Sequence, residues 1–341
     1  MNDNHLYGAD PACISGATRY SPGCLACRNG SWLCIFLTYR CNAACVDCPA
    51  PTAIVSPHST SGNTLEKILE GIETYQYKGI SFSGGEALLE YETLLTWQKE
   101  IHAAYPDVYL WLYTNGIEAT GARLLPLVDH GLNEIRFNLS ATGYSDAGVL
   151  ANMADACSIV PTVAVEVPAT VEGETSLFNA VPLMVRAGVK YLNLHEFIPK
   201  HQSDEWESYY LDDQQVVSRI SGIIKVQHSL AKKISSRFPS LVVNECTHEV
   251  KRHQMTMRRL LSARHQFSKD YEIVTPEGYI ESILAENADG LVHWIHPADK
   301  DSIASSAKDC SLIRYLFRPS MTRHEKRKVI SMEEMRKIEA T

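Results

Sequence analysis

Between residues 32 and 200 the sequence predicts an α/β fold, one parallel sheet with helices on both faces. Short apolar runs alternate there with segments whose apolar residues recur at helical spacing. The runs are apolar almost throughout, as strands covered on both faces are. Cysteine and glycine motifs follow directly on these runs, at the carboxyl edge where parallel sheets bind ligands.

The elements follow in order. "WLCIFLT" (32–38) reads as a buried strand that ends just before a cysteine loop. In "NTLEKILEGIETYQY", Leu65, Ile68, Leu69 and Ile72 share one helical face, and Asn63 with Glu66 suggests a capping box. "GISFSGGE" is a strand running into a glycine turn. Leu94, Trp97 and Ile101 mark a helix that Pro106 stops. "VYLWLYTNG" is again a strand and a glycine turn. Strands at 134–140, 162–168 and 190–197 continue the rhythm, with helices near 119–130, 146–157 and 177–187. Beyond about 205 the character changes. A helical segment (213–237), a strand "LVVNEC" and the basic helical run "KRHQMTMRRLLSARHQFSK" (251–269) precede "YEIVTPEGYIESIL", a hairpin around Pro276-Glu277-Gly278. The charged end from Ser320 has a helical pattern. The division expected is 1–30, a cysteine-rich extension; 31–205, the βα body; and 206–341, an α+β C-terminal region.

The 341 residues are 45% hydrophobic and carry a net charge of −8, which argues against broad nucleic-acid binding. The opening "MNDNHLYGADPACISG" lacks basic and apolar signal regions, and no run approaches the ~18 apolar residues of a membrane helix. The cytosol is the expected location. Of the ten cysteines, seven lie at 13, 24, 27, 34, 41, 45 and 48, and three follow at 157, 246 and 310. So uneven a distribution suits metal or redox chemistry better than a disulfide scaffold.

"TYRCNAACVDCPAP" (38–51) places Cys41, Cys45 and Cys48 at C-x3-C-x2-C. A closed zinc site wants four ligands, and three thiolates leave one metal position open, the mark of catalytic use. "CNAACVDC" after one strand, "SFSGGEAL" after the next, then "LYTNG" and "IRFNLSA" resemble the radical S-adenosylmethionine (radical SAM) superfamily over roughly residues 30–200. The resemblance implies a partial (β/α)6 barrel in which S-adenosylmethionine chelates the open iron of a [4Fe–4S] cluster. One electron, from a donor such as flavodoxin or ferredoxin, then yields methionine and a 5′-deoxyadenosyl radical that takes hydrogen from a substrate.

The same resemblance assigns the cluster to Cys41, Cys45 and Cys48. Gly84 and Gly85 would approach the methionyl moiety, and Glu86 would fix its ammonium. Asn115 is either a cofactor contact or a turn residue, and Asn138 and Ser140 are candidates for the ribose or carboxylate. Glu166, Asn193, His195 and Glu196 lie near later strand ends and face a substrate on this reading, with His195, Glu196 and Cys246 the catalytic candidates. His195 reads equally well as a hydrogen-bonded core histidine. The family usually has an aromatic residue just before the third cysteine; here it is Asp47, so adenine must be held otherwise, by Pro49 and its neighbours or by Asp47 itself.

A second set, Cys24 and Cys27 in "PGCLACRNGSWLC" with the distant Cys246, suggests an auxiliary cluster placed outside the barrel. A zinc clamp, a hydrogen-donating Cys246, or completion of the site by Cys34 or Cys13 are the alternatives. Cys34, Cys157 and Cys310 read as small core residues. The layout also resembles an uncharacterised branch related to pyruvate formate-lyase activating enzymes. A radical SAM enzyme acting on a peptide, protein or small metabolite is the leading expectation, and an activase for a glycyl-radical enzyme is the alternative. A non-catalytic zinc or iron–sulfur module touching nucleic acid through the 251–269 helix is the competing class.

Overall fold

The computed structural model describes residues 19–45, 48, 64–196, 206–212, 215–266, 269–287, 289–302, 311–319 and 328–337. Cys13, Asp47, Pro49, Asn63 and Cys310, on which expectations fell, lie outside them.

A short helix, α1 (Pro22–Arg28), precedes the first strand, β1 (Trp32–Thr38). Five βα units follow: α2 (Leu65–Tyr75), β2 (Gly79–Gly84), α3 (Tyr91–Ala104), β3 (Tyr109–Thr114), α4 (Gly121–Asp129), β4 (Leu132–Phe137), α5 (Ala147–Ile159), β5 (Thr162–Ala169), α6 (Glu174–Ala187) and β6 (Tyr191–Glu196). A hairpin of β7 (Trp206–Asp212) and β8 (Gln215–Ile220) leads into α7 (Ser221–Arg237), β9 (Val242–Cys246) and α8 (His248–Gln266). The chain ends in β10 (Ile273–Val274), β11 (Ile280–Glu286), β12 (Val292–Ile295), β13 (Ser311–Arg318) and β14 (Lys328–Lys337).

β1 to β6 form one parallel sheet in sequence order, and β9 adds a seventh parallel strand beside β6. The sheet therefore reaches past the limit of 205 read from the sequence. α7 packs on it through Gln227, whose Nε2 donates to the Leu194 carbonyl at 2.7 Å. Among the described residues β1 and β9 are its outer strands, and no pairing closes the sheet between them.

Alternation along each strand divides the side chains between two faces. One face carries Ile80, Phe82, Leu110, Leu112, Ile135, Phe137, Val163, Val165, Leu192 and Leu194, all buried against the helices. The other, concave face carries Ser81, Trp111, Glu134, Arg136, Asn193 and Asn244, also buried. Parallel sheets are ordinarily apolar on both sides. Buried polar groups need partners, so a polar interior face marks a built site.

Two elements from outside the βα body complete that interior. α1 lies inside it, where its N-cap Ser21 accepts from Cys24 N at 3.1 Å and donates to Glu134 Oε1 at 3.0 Å. α8 starts beside the edge strand β9 and ends on α2, where Gln266 Nε2 donates to Tyr75 Oη at 3.0 Å. At ~1.5 Å per residue its 19 residues span roughly 28 Å, enough to strap the open side. Gly30, two residues past α1 and at φ +69°, lets the chain approach the backbone of α8 closely. A Cβ there would stand 2.3 Å from the backbone nitrogen of Arg258. β10 to β14 form an antiparallel sheet, and its first turn is tied to α8 where Arg259 Nε donates to the Glu277 carbonyl at 2.9 Å.

Three local expectations are corrected. Thr64 caps α2, its hydroxyl accepting from Lys67 N at 3.3 Å, in place of the Asn63/Glu66 box. The helix expected from 213 begins at Ser221, because 215–220 pairs antiparallel with β7. The charged end is strand β14, since its ladder with β13 outweighs the helical propensity of its Glu and Lys.

Candidate functional site

The cysteine loop leaves β1 and is held by the glycine turn after β2. Gly85 N donates to the Thr38 carbonyl and Glu86 N to the Arg40 carbonyl, each at 2.8 Å. A Cβ on Gly84 would stand 2.1 Å from Thr38 O, and one on Gly85 2.1 Å from Arg40 O. The close approach that requires these glycines is thus to the cysteine loop's own backbone, and their expected approach to the methionyl moiety is a separate matter.

Glu86 is fully buried, with protein donors on both oxygens. Leu88 N reaches Oε1 at 3.0 Å, Asn115 N reaches Oε2 at 2.7 Å, and the Thr114 hydroxyl lies 3.0 and 3.1 Å from the two. Burial pushes its pKa up despite these donors. The carboxylate ties the ends of β2 and β3 together, a role the sequence reading did not foresee beside the ammonium contact.

Asn115 lies on that path. Its Nδ2 donates to Asn42 Oδ1 at 2.7 Å and stands 3.7 Å from Cys41 Sγ, while its Oδ1 accepts from Ile117 N at 3.0 Å. It is a turn residue and a neighbour of the first thiol at once. Asn138 and Ser140 pair with each other past β4, Ser140 Oγ donating to Asn138 Oδ1 at 2.6 Å. Cys41, Cys45 and Cys48 are all half-buried in their loop. Three thiols at the carboxyl edge, one facing an amide donor, suit an iron–sulfur cluster with an open position.

On the concave face a cavity of about 360 Å³ lies between the sheet, α1 and α8. Tyr113, Arg136, Glu166, His195 and Cys246 line its floor, and Cys24, Cys27 and Arg28 come from α1. Lys251, Gln254, Met255 and Arg258 face it from α8, one stripe at helical spacing. The basic run that the competing reading offered to nucleic acid is, on this side, the wall of a cavity.

Arg136 organises the floor. Its Nε binds Glu134 Oε1 at 2.6 Å, and its Nη1 binds Glu166 Oε2 at 2.9 Å and Tyr113 Oη at 3.0 Å. His195 Nε2 lies 2.9 Å from Glu166 Oε1. Burial alone would raise the pKa of Glu166, but His195 and Arg136 together hold it well below the usual carboxylate range. On α8, burial lowers the pKa of Lys251, while Cys246, Glu166 and Glu196 draw it back up. The buried Nε of Arg258 has no hydrogen-bond partner.

Of the catalytic candidates, His195 and Cys246 reach this cavity, paired across β6 and β9, whereas Glu196 is buried and does not line it. Glu166 faces the cavity as expected, and Asn193 lies behind it, accepting from Cys24 Sγ at 3.7 Å and donating to Glu166 Oε2 at 3.1 Å. Cys24 and Cys27 lie inside the barrel rather than outside it, because α1 folds into the concave face. Burial raises the pKa of Cys27, and that of Cys246 to about 12. Among the described residues no three His, Cys, Asp or Glu side chains stand close enough to share one metal ion, and no helix is long and apolar enough to cross a membrane.

The sequence reading missed Arg136, Asn244, Lys251 and Arg258. Glu134 and Arg136 alternating inside an apolar strand, and a cationic stripe at i and i+7, were the available signals.

Residues 28–123 match the family model described as "4Fe-4S single cluster domain". A Methanocaldococcus jannaschii protein named "Putative glycyl-radical enzyme activating enzyme" is 23% identical over 297 residues, covering 82% of this chain and 78% of its own. Streptococcus suis SuiB, solved bound to S-adenosylmethionine, is 11% identical over 64% of this chain and 47% of its own, with a TM-score of 0.44. Methylornithine synthase is 13% identical over 65% of this chain and 75% of its own, with a TM-score of 0.42. The chain thus spans about half the length of SuiB.

Proposed function

We propose, for a chain that belongs to the radical SAM superfamily with its [4Fe–4S] cluster and S-adenosylmethionine, that hydrogen is abstracted from a substrate held in the cavity beneath α8. Cys41, Cys45 and Cys48 would hold the cluster on this reading and leave one iron for S-adenosylmethionine. With both bound and one electron from a flavodoxin or ferredoxin, the site would have a 5′-deoxyadenosyl radical available.

The chain's own groups then have defined tasks. Gly85 and Glu86 pin the cysteine loop to the sheet edge, and Asn115 donates toward Cys41 Sγ. Asn138 and Ser140, at the next strand end, are placed for polar groups of the cofactor. Glu166 and His195 present acceptor and donor atoms to the cavity, fixed from behind by Arg136. Lys251 and the unpartnered Nε of Arg258 favour an anionic group on the substrate, such as a carboxylate. α1 and α8 cover the cavity and keep water from a reactive intermediate.

The observation that carries the reading is the thiol triplet at the carboxyl edge of β1, locked to the glycine turn, with a cavity that Glu166, His195 and Lys251 reach on the same sheet's concave face. Reconstituted anaerobically and reduced with dithionite, the protein should convert S-adenosylmethionine to 5′-deoxyadenosine, and Cys45→Ala should make none. Turnover by Cys45→Ala at the wild-type rate would overturn the ligand assignment.

A second reading, a radical raised on a glycine of a partner enzyme, is favoured by the name of the M. jannaschii relative. It requires a protein loop in the cavity, and a glycyl signal in the electron paramagnetic resonance spectrum of the partner would identify it.

A further inference from the structure

We propose that Cys24, Cys27 and Cys246 hold a second iron–sulfur cluster, set inside the barrel against the wall of the cavity. It rests on three thiols that the reaction proposed above does not use, and it shares Arg136, Lys251 and Arg258 with that reading.

The three residues come from α1 and from the last position of β9, yet all of them line one cavity. Polar donors are aimed at the sulfurs. Arg136 Nη2 lies 3.5 Å from Cys24 Sγ, and Asn244 Nδ2 lies 3.5 Å from Cys246 Sγ and 3.9 Å from Cys24 Sγ. A thiol buried merely to fill space needs no such partners, whereas a thiolate bound to iron does, and donors to sulfur tune cluster potentials. In the thiol form Cys24 donates a weak hydrogen bond to Asn193 Oδ1 at 3.7 Å. Lys251 and Arg258 face the same space and offset the negative charge of a thiolate-bound cluster.

Among the described residues no three His, Cys, Asp or Glu side chains are grouped to hold a single metal ion. In an iron–sulfur cluster the cysteine thiolates are divided among several irons. Each thiol gives up its proton on ligating an iron. Three thiolates leave the fourth iron of a [4Fe–4S] cluster open toward the cavity.

The test separates this centre from the strand-end one. Full-length Cys41→Ala/Cys45→Ala/Cys48→Ala protein, reconstituted with iron and sulfide, should stay brown and keep about half the wild-type iron, roughly four atoms in place of eight if both centres are [4Fe–4S]. Adding Cys24→Ala and Cys27→Ala should remove the remainder, while Cys34→Ala, another interior thiol, should leave wild-type iron unchanged. Circular dichroism confirms that each variant folds. A folded triple variant without iron, or with one zinc in its place, overturns the proposal. Because iron is counted and turnover is not, the result stands whether or not S-adenosylmethionine cleavage is observed.

Discussion

The guanidinium of Arg136 reaches 3.5 Å from Cys24 Sγ while its other nitrogens bind Glu134 and Glu166, so one side chain joins β4, β5 and α1. Glu134 is fully buried and Arg136 nearly so. Removing the cation from such a site leaves two carboxylates without the guanidinium that pairs them, which costs about 3–5 kcal/mol. Arg136→Met should therefore lower the unfolding free energy by that order in urea denaturation. Arg136→Lys should recover only part, because one ammonium cannot span two carboxylates and a sulfur. A Met variant as stable as wild type would show that the network does not hold the interior together.

Gly85 gives a prediction about the cysteine loop. A methyl group 2.1 Å from the Arg40 carbonyl cannot be relieved by turning a side chain, since both atoms that collide are fixed to backbone. Gly85→Ala should separate the turn from the loop, breaking the bonds to Thr38 O and Arg40 O. The expected result is a severalfold loss of reconstituted iron at Cys41, Cys45 and Cys48, with secondary structure retained. Iron binding equal to wild type would mean that the loop is positioned by other contacts.

Glu86→Gln tests which partners the carboxylate serves. Both oxygens face N–H or O–H donors, so an amide NH2 must oppose one of them, at a cost of about 1–3 kcal/mol for the lost acceptor. If the loops are what Glu86 holds, iron content and affinity for S-adenosylmethionine should fall together. A loss of cofactor affinity alone, with full iron, would favour the ammonium contact expected from the sequence.

How far this site could be read in advance depended on whether one chain segment carried the signal. Cys41 to Cys48, Gly84 to Glu86 and Asn115 each follow their own apolar strand, so pattern and site coincide. The cavity is different, because its walls meet only through tertiary packing. C-x2-C at Cys24 says that two thiols are adjacent, and nothing local says that α1 enters the barrel. Lys251 and Arg258 sit in a run whose charge looks like a surface, and only the proximity of β9 and α2 to the ends of α8 turns that stripe inward. β14 escaped for a related reason. "KVISMEEMRK" prefers a helix by composition, and its strand exists because β13 supplies a ladder.

Glu166 carries the pH dependence. Its folded pKa lies below the unfolded value near 4.5, since His195 and Arg136 outweigh the effect of burial. In acid the unfolded chain therefore binds this proton before the folded one does, and stability falls as pH falls. The contribution is fully present above about 4.5 and is lost as pH drops from there toward the folded pKa. Glu166→Gln removes the group, so the difference between wild type and variant isolates it from every other carboxylate. At pH 7 wild type should be more stable by about 1.5–3 kcal/mol, the range for hydrogen bonds to charged groups. The gap should be unchanged at pH 6 and should narrow progressively below pH 4. Chemical denaturation of both proteins at these pH values measures it. A gap that stays constant into strong acid would mean that the ion pairs with Arg136 and His195 do not stabilise the fold.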